Sequence, residues 1–386
     1  MTDDTGRPDP QESTLVFGAT AAGARFRVLP PIDWVHALHV VAGTAVGRRQ
    51  RVDVDTVTIG RRSGNTLALS DPEVSSLHCS VRVLPNESAL EVIDHQSTNG
   101  TYVNGVQVQG VARLEDRGVL QVGAHVLVHE FRARQDMETA ERADEDLARA
   151  RRYVEALLPP PVDTGPVRTE WFYRPSAMLG GDAFGVLDLG AGRFAGYVID
   201  VCGHGVGAAM HAVSVLSVLR QRALPDTDLS DPAQVLARLN TMYQMEAHGD
   251  LYFTAWYGVY DATSRLLTYA SAGHHPAYVR NAVSAQASPL RALCTRSPAI
   301  GVQPDTAYRS ERVTMAPRDR LYLFSDGLFE VTTPSGPPWS IADLLPLIES
   351  SDPAPGEPER LYRAVRKATG DGPLEDDCSI ITVTFA

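Results

Sequence analysis

The chain has 386 residues, 44% of them hydrophobic and 21% charged, with 47 acidic against 35 basic side chains and a net charge of −12. That length suits two or three ordinary domains, and the acidic balance argues against general binding to nucleic acid or to an anionic membrane. One lysine is present, Lys367, in an Ala-Val-Arg-Lys-Ala setting; this is neither a Gly-rich phosphate loop nor a kinase strand, so both classes are excluded.

No run of 18 apolar residues occurs, so no transmembrane helix is expected. Residues 1–10 are acidic and polar, unlike a secretory leader. Cys79, Cys202, Cys294 and Cys378 lack metal-ligand or thioredoxin-like spacing and read as reduced thiols of a cytoplasmic protein.

In chain order, residues 1–34 are rich in Pro, Gly, Ala and Asp, and read as a partly disordered tail with one strand near 15–17 or 25–29. Short Val-, Ile- and Leu-rich segments follow at 37–41, 55–59, 78–83, 89–93, 118–121 and 125–131. Gly43, Gly60, Ser63-Gly64-Asn65, Pro85-Asn86 and Asn104-Gly105 separate them. Many short strands at this spacing predict a β-sandwich. Residues 135–158 are charged and free of Gly and Pro. Ala140, Ala143, Leu147, Ala150, Val154 and Leu157 recur there at steps of 3 and 4, which predicts one helix whose apolar face meets either a second copy or its own domains. Pro159-Pro160-Pro161 ends it. Beyond residue 167, strands at 193–200, 320–325 and 378–385 mix with a helix at 231–245, capped by Asp231 with Pro232 in its first turn.

Three loop motifs stand in order within the β region: Gly60-Arg61, Ser75-Ser76-Leu77-His78 and Ser97-Thr98-Asn99-Gly100. Guanidinium, hydroxyl and amide groups gathered at one end of a sandwich can hold a phosphate. The stretch 36–132 resembles a forkhead-associated (FHA) domain. The resemblance implies recognition of phosphothreonine peptides, with Arg61 and Ser75 on the phosphate and Thr98, Asn99 and Ser76 on the peptide or phosphate. His78 and Gly100 read as residues that pack the loops.

Further on, Asp182, Asp200, Asp326 and the pair Asp376-Asp377 stand at strand ends beside glycines. Carboxylates converging on one sheet rim repel one another unless a hard cation joins them. The ordered stretches Gly180-Gly181-Asp182, Asp200-Val201-Cys202-Gly203-His204-Gly205, Ser271-Ala272-Gly273-His274-His275-Pro276, Ser325-Asp326-Gly327 and Asp376-Asp377-Cys378-Ser379 resemble metal-dependent PPM-type protein phosphatases of the SpoIIE-like branch, over about 165–386. The resemblance implies a catalytic set of Asp182, Asp200, Asp326 and Asp376 holding two Mn²⁺ or Mg²⁺ ions. Asp200 would bridge both, Asp182 and the Val201 carbonyl would join one, and Asp326 and Asp376 the other, with Asp377 the alternative to Asp376. Met178 and Gly185 depart from the family's Glu and second Asp. His204, a candidate general acid, reads as a loop residue, and His274 and His275 as structural.

The expected architecture is therefore multidomain: a tail (1–34), an all-β FHA sandwich (35–132), a connecting helix able to pair weakly with a second copy (133–160), and an α+β four-layer α/β/β/α phosphatase sandwich (161–386). The expected activity is serine/threonine phosphoprotein hydrolysis, the substrate being a phosphoserine regulator of a sigma or anti-sigma circuit and the FHA ligand a phosphothreonine protein. A scaffold with an inert phosphatase-like domain, or hydrolysis of a small phosphate ester, are the rival readings.

Overall fold

The computed structural model describes residues 15–16, 27–28, 33–52, 56–84, 87–282, 290–333, 336–350, 354–370 and 374–386. The chain divides into two compact units, Met1–Ala148 and Arg149–Ala386. In the tail, two short strands form where one was expected: β1 (Leu15–Val16) pairs antiparallel with β2 (Arg27–Val28). The expected disorder of the remaining tail lies outside the described residues.

The first unit continues through β3 (Trp34–Ala42), β4 (Arg49–Val52), β5 (Val57–Gly60), β6 (Leu67–Ala68), β7 (Cys79–Val83), β8 (Leu90–Asp94), β9 (Thr101–Val103), β10 (Val106–Gln107), β11 (Val111–Leu114), β12 (Val119–Val122) and β13 (His125–Ala133). One sheet has the order β10-β9-β12-β13-β3-β4 and the other β11-β8-β7-β5-β6. Alternation puts Leu120, Val122 and Leu127 of one sheet against Ile59, Val81 and Val92 of the other, all buried in one core. Several strands went unrecognised in the sequence. β6 and β10 have two residues each, and Val106 and Gln107 are exposed, so no periodicity marks them.

Helix α1 (Arg134–Leu157) begins one residue before the expected start. Met137 is its buried residue, packed with Val35 and Ala37. Arg51 forks onto Glu141 at 2.6 and 2.7 Å, and Arg49 joins Glu130 at 2.8 Å and also pairs with Asp144. Of the apolar seam, Ala143 is exposed and Leu147, Ala150 and Val154 are half-buried.

The second unit contains β14 (Val167–Arg174), β15 (Asp182–Gly190), β16 (Arg193–Val201), α2 (Val206–Arg220), α3 (Pro232–Met242), β17 (Phe253–Asp261), β18 (Leu266–Ala272), β19 (Ala277–Arg280), β20 (Leu290–Leu293), β21 (Glu311–Thr314), β22 (Arg320–Phe324), α4 (Ile341–Ser350), α5 (Glu357–Thr369) and β23 (Cys378–Phe385). Two five-stranded antiparallel sheets, β14-β23-β22-β19-β20 and β15-β16-β17-β18-β21, face each other across Phe184, Val198, Trp256, Leu321, Ile381 and Phe385. Helices α2 and α3 cover the outer face of the second sheet, and α4 and α5 that of the first. This is the expected four-layer α/β/β/α sandwich.

Two expectations are corrected. Helix α3 ends at Met242, not residue 245, because Tyr243 leaves the helical region and Met245 N–H bonds to Gly301 instead. Between the helix expected at 231–245 and the strand expected at 320–325 no strand is expected from the sequence, yet β20 forms there and extends the sheet by pairing with β19.

Candidate active site and phosphate-reading loops

The four aspartates come from both sheets. Asp182 opens β15 and Asp200 lies near the end of β16, directly opposite it in the antiparallel register. Asp326 begins a 3-10 turn immediately beyond β22, and Asp376 precedes β23, the strand paired with β22. Each sheet thus sends two carboxylates to the same rim. Gly327 is needed for this, because a Cβ there would fall 2.2 Å from the Asp377 carbonyl oxygen.

Burial and mutual repulsion work together on these groups. Asp182, 3% exposed, is held well above the ordinary carboxylate range by burial and then by Asp200 and Asp377, although the Ser379 hydroxyl donates to it at 2.6 Å. Asp200 is pushed up to about 8 by burial, then by Asp326, Asp376 and Asp377. Asp326 rises to about 6 by burial, then through Asp376 and Glu330. Asp376 is raised chiefly by burial, and His204 acts on it in the opposite direction.

The choice between Asp376 and Asp377 is geometric. Asp377 is 3% exposed, and both its oxygens are engaged. Oδ1 accepts the Ser176 N–H and hydroxyl at 2.7 and 2.9 Å, and Oδ2 accepts the Gly181 N–H at 2.5 Å. Asp376 is exposed, and its Oδ1 accepts the Asp377 N–H. Asp377 is therefore a clamp on the Ser176–Gly181 loop, while Asp376 remains available to a ligand.

His274 is buried and bridges the sheets, accepting the Thr254 hydroxyl at 2.7 Å and donating to the Phe324 carbonyl at 3.2 Å. His275 stacks on Phe324. His204 is exposed. At Gly185 a Cβ would lie 2.2 Å from the Tyr197 hydroxyl, so the tyrosine fills the space a side chain would need. Sequence reasoning missed Tyr197, and it missed Glu330, an exposed carboxylate whose charge reaches Asp200, Asp326 and Asp376.

The donor set consists of hard oxygens. Among the described residues no three His, Cys, Asp or Glu side chains converge tightly enough to enclose one ion. Carboxylate oxygens are the donors that hard divalent cations such as Mg²⁺ and Mn²⁺ take. Repulsion among these carboxylates, from the buried Asp182 to the exposed Asp376, is what such ions would relieve.

In the first unit, Arg61, Ser75, Ser76, Thr98 and Asn99 share one end of the sandwich. Gly60 lets two loops touch, since a Cβ there would fall 2.5 Å from the Ser76 carbonyl oxygen. Arg61 N–H donates to the Ser75 carbonyl at 2.9 Å, and Thr98 N–H to the Ser75 hydroxyl oxygen at 3.0 Å. Asn99 donates to the Glu73 carbonyl at 2.9 Å, which ties its loop to the neighbouring one. His78 sits beneath, accepting from Ser75 N–H and donating to the Gly100 carbonyl, both at 3.1 Å. Asn65, not singled out in the sequence, donates to the Ser76 carbonyl at 2.8 Å. Arg61 is exposed, with its guanidinium unpaired among the described residues.

Residues 190–386 match the family model described as Stage II sporulation protein E (SpoIIE), and residues 57–123 match that of the FHA domain. The phosphoserine phosphatase RsbP of Bacillus subtilis is 28% identical over 191 residues, 48% of this chain and 46% of that protein. The chain thus spans less than half the length of that relative. The oxoglutarate dehydrogenase inhibitor of Corynebacterium efficiens is 34% identical over 144 residues, 34% of this chain and 94% of that protein. The solved SiaA-PP2C domain of Pseudomonas aeruginosa superposes with a TM-score of 0.52 at 19% identity, covering 64% of this chain and 99% of that one. This last likeness speaks for the fold.

Proposed function

Because the chain belongs to the Stage II sporulation protein E family, we propose that it is a metal-dependent phosphoprotein serine/threonine phosphatase directed by its FHA domain. The observation that carries this reading is the rim where Asp182 and Asp200 of one sheet meet Asp326 and Asp376 of the other. In this reading these four carboxylates, with the Val201 carbonyl, hold two Mn²⁺ or Mg²⁺ ions. Bound there, the ions supply a water that ionises near neutral pH and neutralise charge on the phosphoryl oxygens.

The chain's own groups prepare the rim. Ser379 orients Asp182, Asp377 holds the loop that leads into it, and His274 fixes the turn before Asp326. The substrate of this reading is a phosphoserine regulator of a sigma or anti-sigma circuit, in keeping with the likeness to a phosphoserine phosphatase. The FHA loops take a phosphothreonine protein through Arg61 and Ser75, with Thr98, Asn99 and Ser76 around them. The seam of α1 supports weak pairing of two copies. A cytoplasmic setting fits the four free cysteines, and no helix among the described residues is long and apolar enough to cross a membrane.

Phosphate release from p-nitrophenyl phosphate tests the enzyme reading. It should need Mn²⁺ or Mg²⁺, stop with EDTA, and fall at least about a hundredfold in Asp200→Asn, comparable to removing a principal charge stabiliser. Near-normal turnover in a folded Asp200→Asn would overturn it and favour the scaffold.

A further inference from the structure

At the end of β14, β22 and β23 remote from the aspartates, the second unit contains a cavity of about 800 Å³. That volume is in the range of small-molecule sites, roughly 300–1,000 Å³. Its wall includes Arg168, Arg280, Arg318 and Arg320, together with Glu170 and Tyr322. Strand pairing assembles it. Thr384 of β23 sits opposite Arg168 on one side and Arg320 on the other, and Arg318 N–H donates to the Phe385 carbonyl at 2.8 Å.

The four guanidinium groups are not equivalent. Behind the wall lies Glu357, fully buried. Arg320 pairs with it, Arg280 stands 4.0 Å away, and the Tyr322 hydroxyl donates to it at 2.9 Å. Arg168 and Arg318 are exposed at the cavity, and among the described residues neither guanidinium has a hydrogen-bond or ion-pair partner. Glu170 adds the complementary feature. Its Oε1 accepts the Gly356 N–H at 3.0 Å, while its Oε2 is buried without a partner. A buried carboxylate oxygen left without a donor is costly.

We propose that this cavity binds a phosphorylated small molecule carrying an amino or amide donor, the nucleotide class, with Arg168 and Arg318 on its phosphates and the Glu170 side chain turning so that Oε2, closed off from solvent in this structure, accepts its donor. A guanidinium fork matches phosphate geometry, and a carboxylate accepts an exocyclic amine. The site is separate from the aspartate rim: β22 runs from Arg320 at the cavity to Phe324 beside Asp326, about 13 Å at 3.3 Å per residue.

The test is calorimetric titration of the full chain with GDP, ADP and pyrophosphate. It is done in EDTA, where the bare aspartates repel anions, and in an Arg61→Ala background that removes the FHA anion site. Saturable binding of a nucleotide is expected, weakened at least about tenfold by the added pair Arg168→Ala and Arg318→Ala. Glu170→Gln should weaken the nucleotide but not pyrophosphate. Both arginines are exposed and unpaired, so the double variant should keep the parent's circular dichroism. No saturable heat from either nucleotide, or unchanged affinity in the double arginine variant, would overturn the site. Pyrophosphate binding as tightly as both nucleotides, with no effect of Glu170→Gln, would overturn the nucleotide assignment.

Discussion

The carboxylate of Asp377 accepts the backbone N–H of Gly181 at 2.5 Å, joining positions 196 residues apart. Gly181 immediately precedes Asp182, so this bond sets where the first carboxylate of the rim begins its strand. The glycines there are required for close approach: a Cβ on Gly180 would fall 2.6 Å from the same carboxylate. Two adjacent aspartates thereby have different duties.

Asp377→Asn should destabilise the protein, because an amide nitrogen cannot accept a backbone N–H. The loss expected for a buried donor left unsatisfied is about 1–3 kcal/mol. Asp376→Asn should keep or raise the melting temperature in EDTA, since it removes a repelling carboxylate, and should lower metal-dependent hydrolysis. Thermal melts of both variants, paired with activity, check this. Equal destabilisation by the two would contradict the division of roles.

The metal-free protein should lose stability as the pH rises. Asp200 (about 8) and Asp326 (about 6) have folded-state values above the unfolded carboxylate. At these two carboxylates the folded state binds more protons than the unfolded chain, for Asp200 up to about pH 8, whereas below about pH 6.5 the buried His36 and His275, lowered to about 4, act in the opposite sense, so the fall in stability lies between about pH 6.5 and about pH 8. Melting in EDTA from about pH 6.5 to about pH 8.5 should show the decline, Mn²⁺ should offset it, and Asp200→Asn should flatten it. A melting temperature that rises over this window in EDTA would refute the sign.

For the FHA loops, Arg61→Ala should weaken a phosphothreonine peptide at least about tenfold, the loss of a charge-assisted fork. Ser75→Ala should also weaken it, because the Ser75 hydroxyl oxygen holds the Thr98 N–H. Fluorescence anisotropy of a labelled peptide measures both. Unchanged affinity in Arg61→Ala would mean that these loops do not read phosphate.

Self-association through α1 should be weak and concentration dependent, since the seam of Ala140, Ala143, Leu147, Ala150, Val154 and Leu157 offers little apolar area. Leu147→Asp should shift sedimentation toward monomer. A wild type that stays monomeric at high micromolar concentration would assign the half-buried seam to packing within one chain.

The sequence alone determined the two folds and the residue types of both candidate sites. Asp-Gly pairs at the ends of apolar segments, and Gly-Arg, Ser-Ser and Thr-Asn groups on turns, carry their meaning locally, through residue type and position beside a strand. Long apolar strands such as β16 and β23 were legible because burial on both faces writes a continuous hydrophobic run. The two-residue strands β6 and β10 were not, since each exists by pairing with a neighbour and not by its own pattern. The same limit applied to side-chain roles. Only the tertiary structure showed Asp377 clamping the loop before Asp182, put Tyr197 over Gly185, and gathered Arg168 and Arg318 beside Glu170. Each of these depends on which groups remain without a partner once distant strands have paired, and chain order does not encode that property locally.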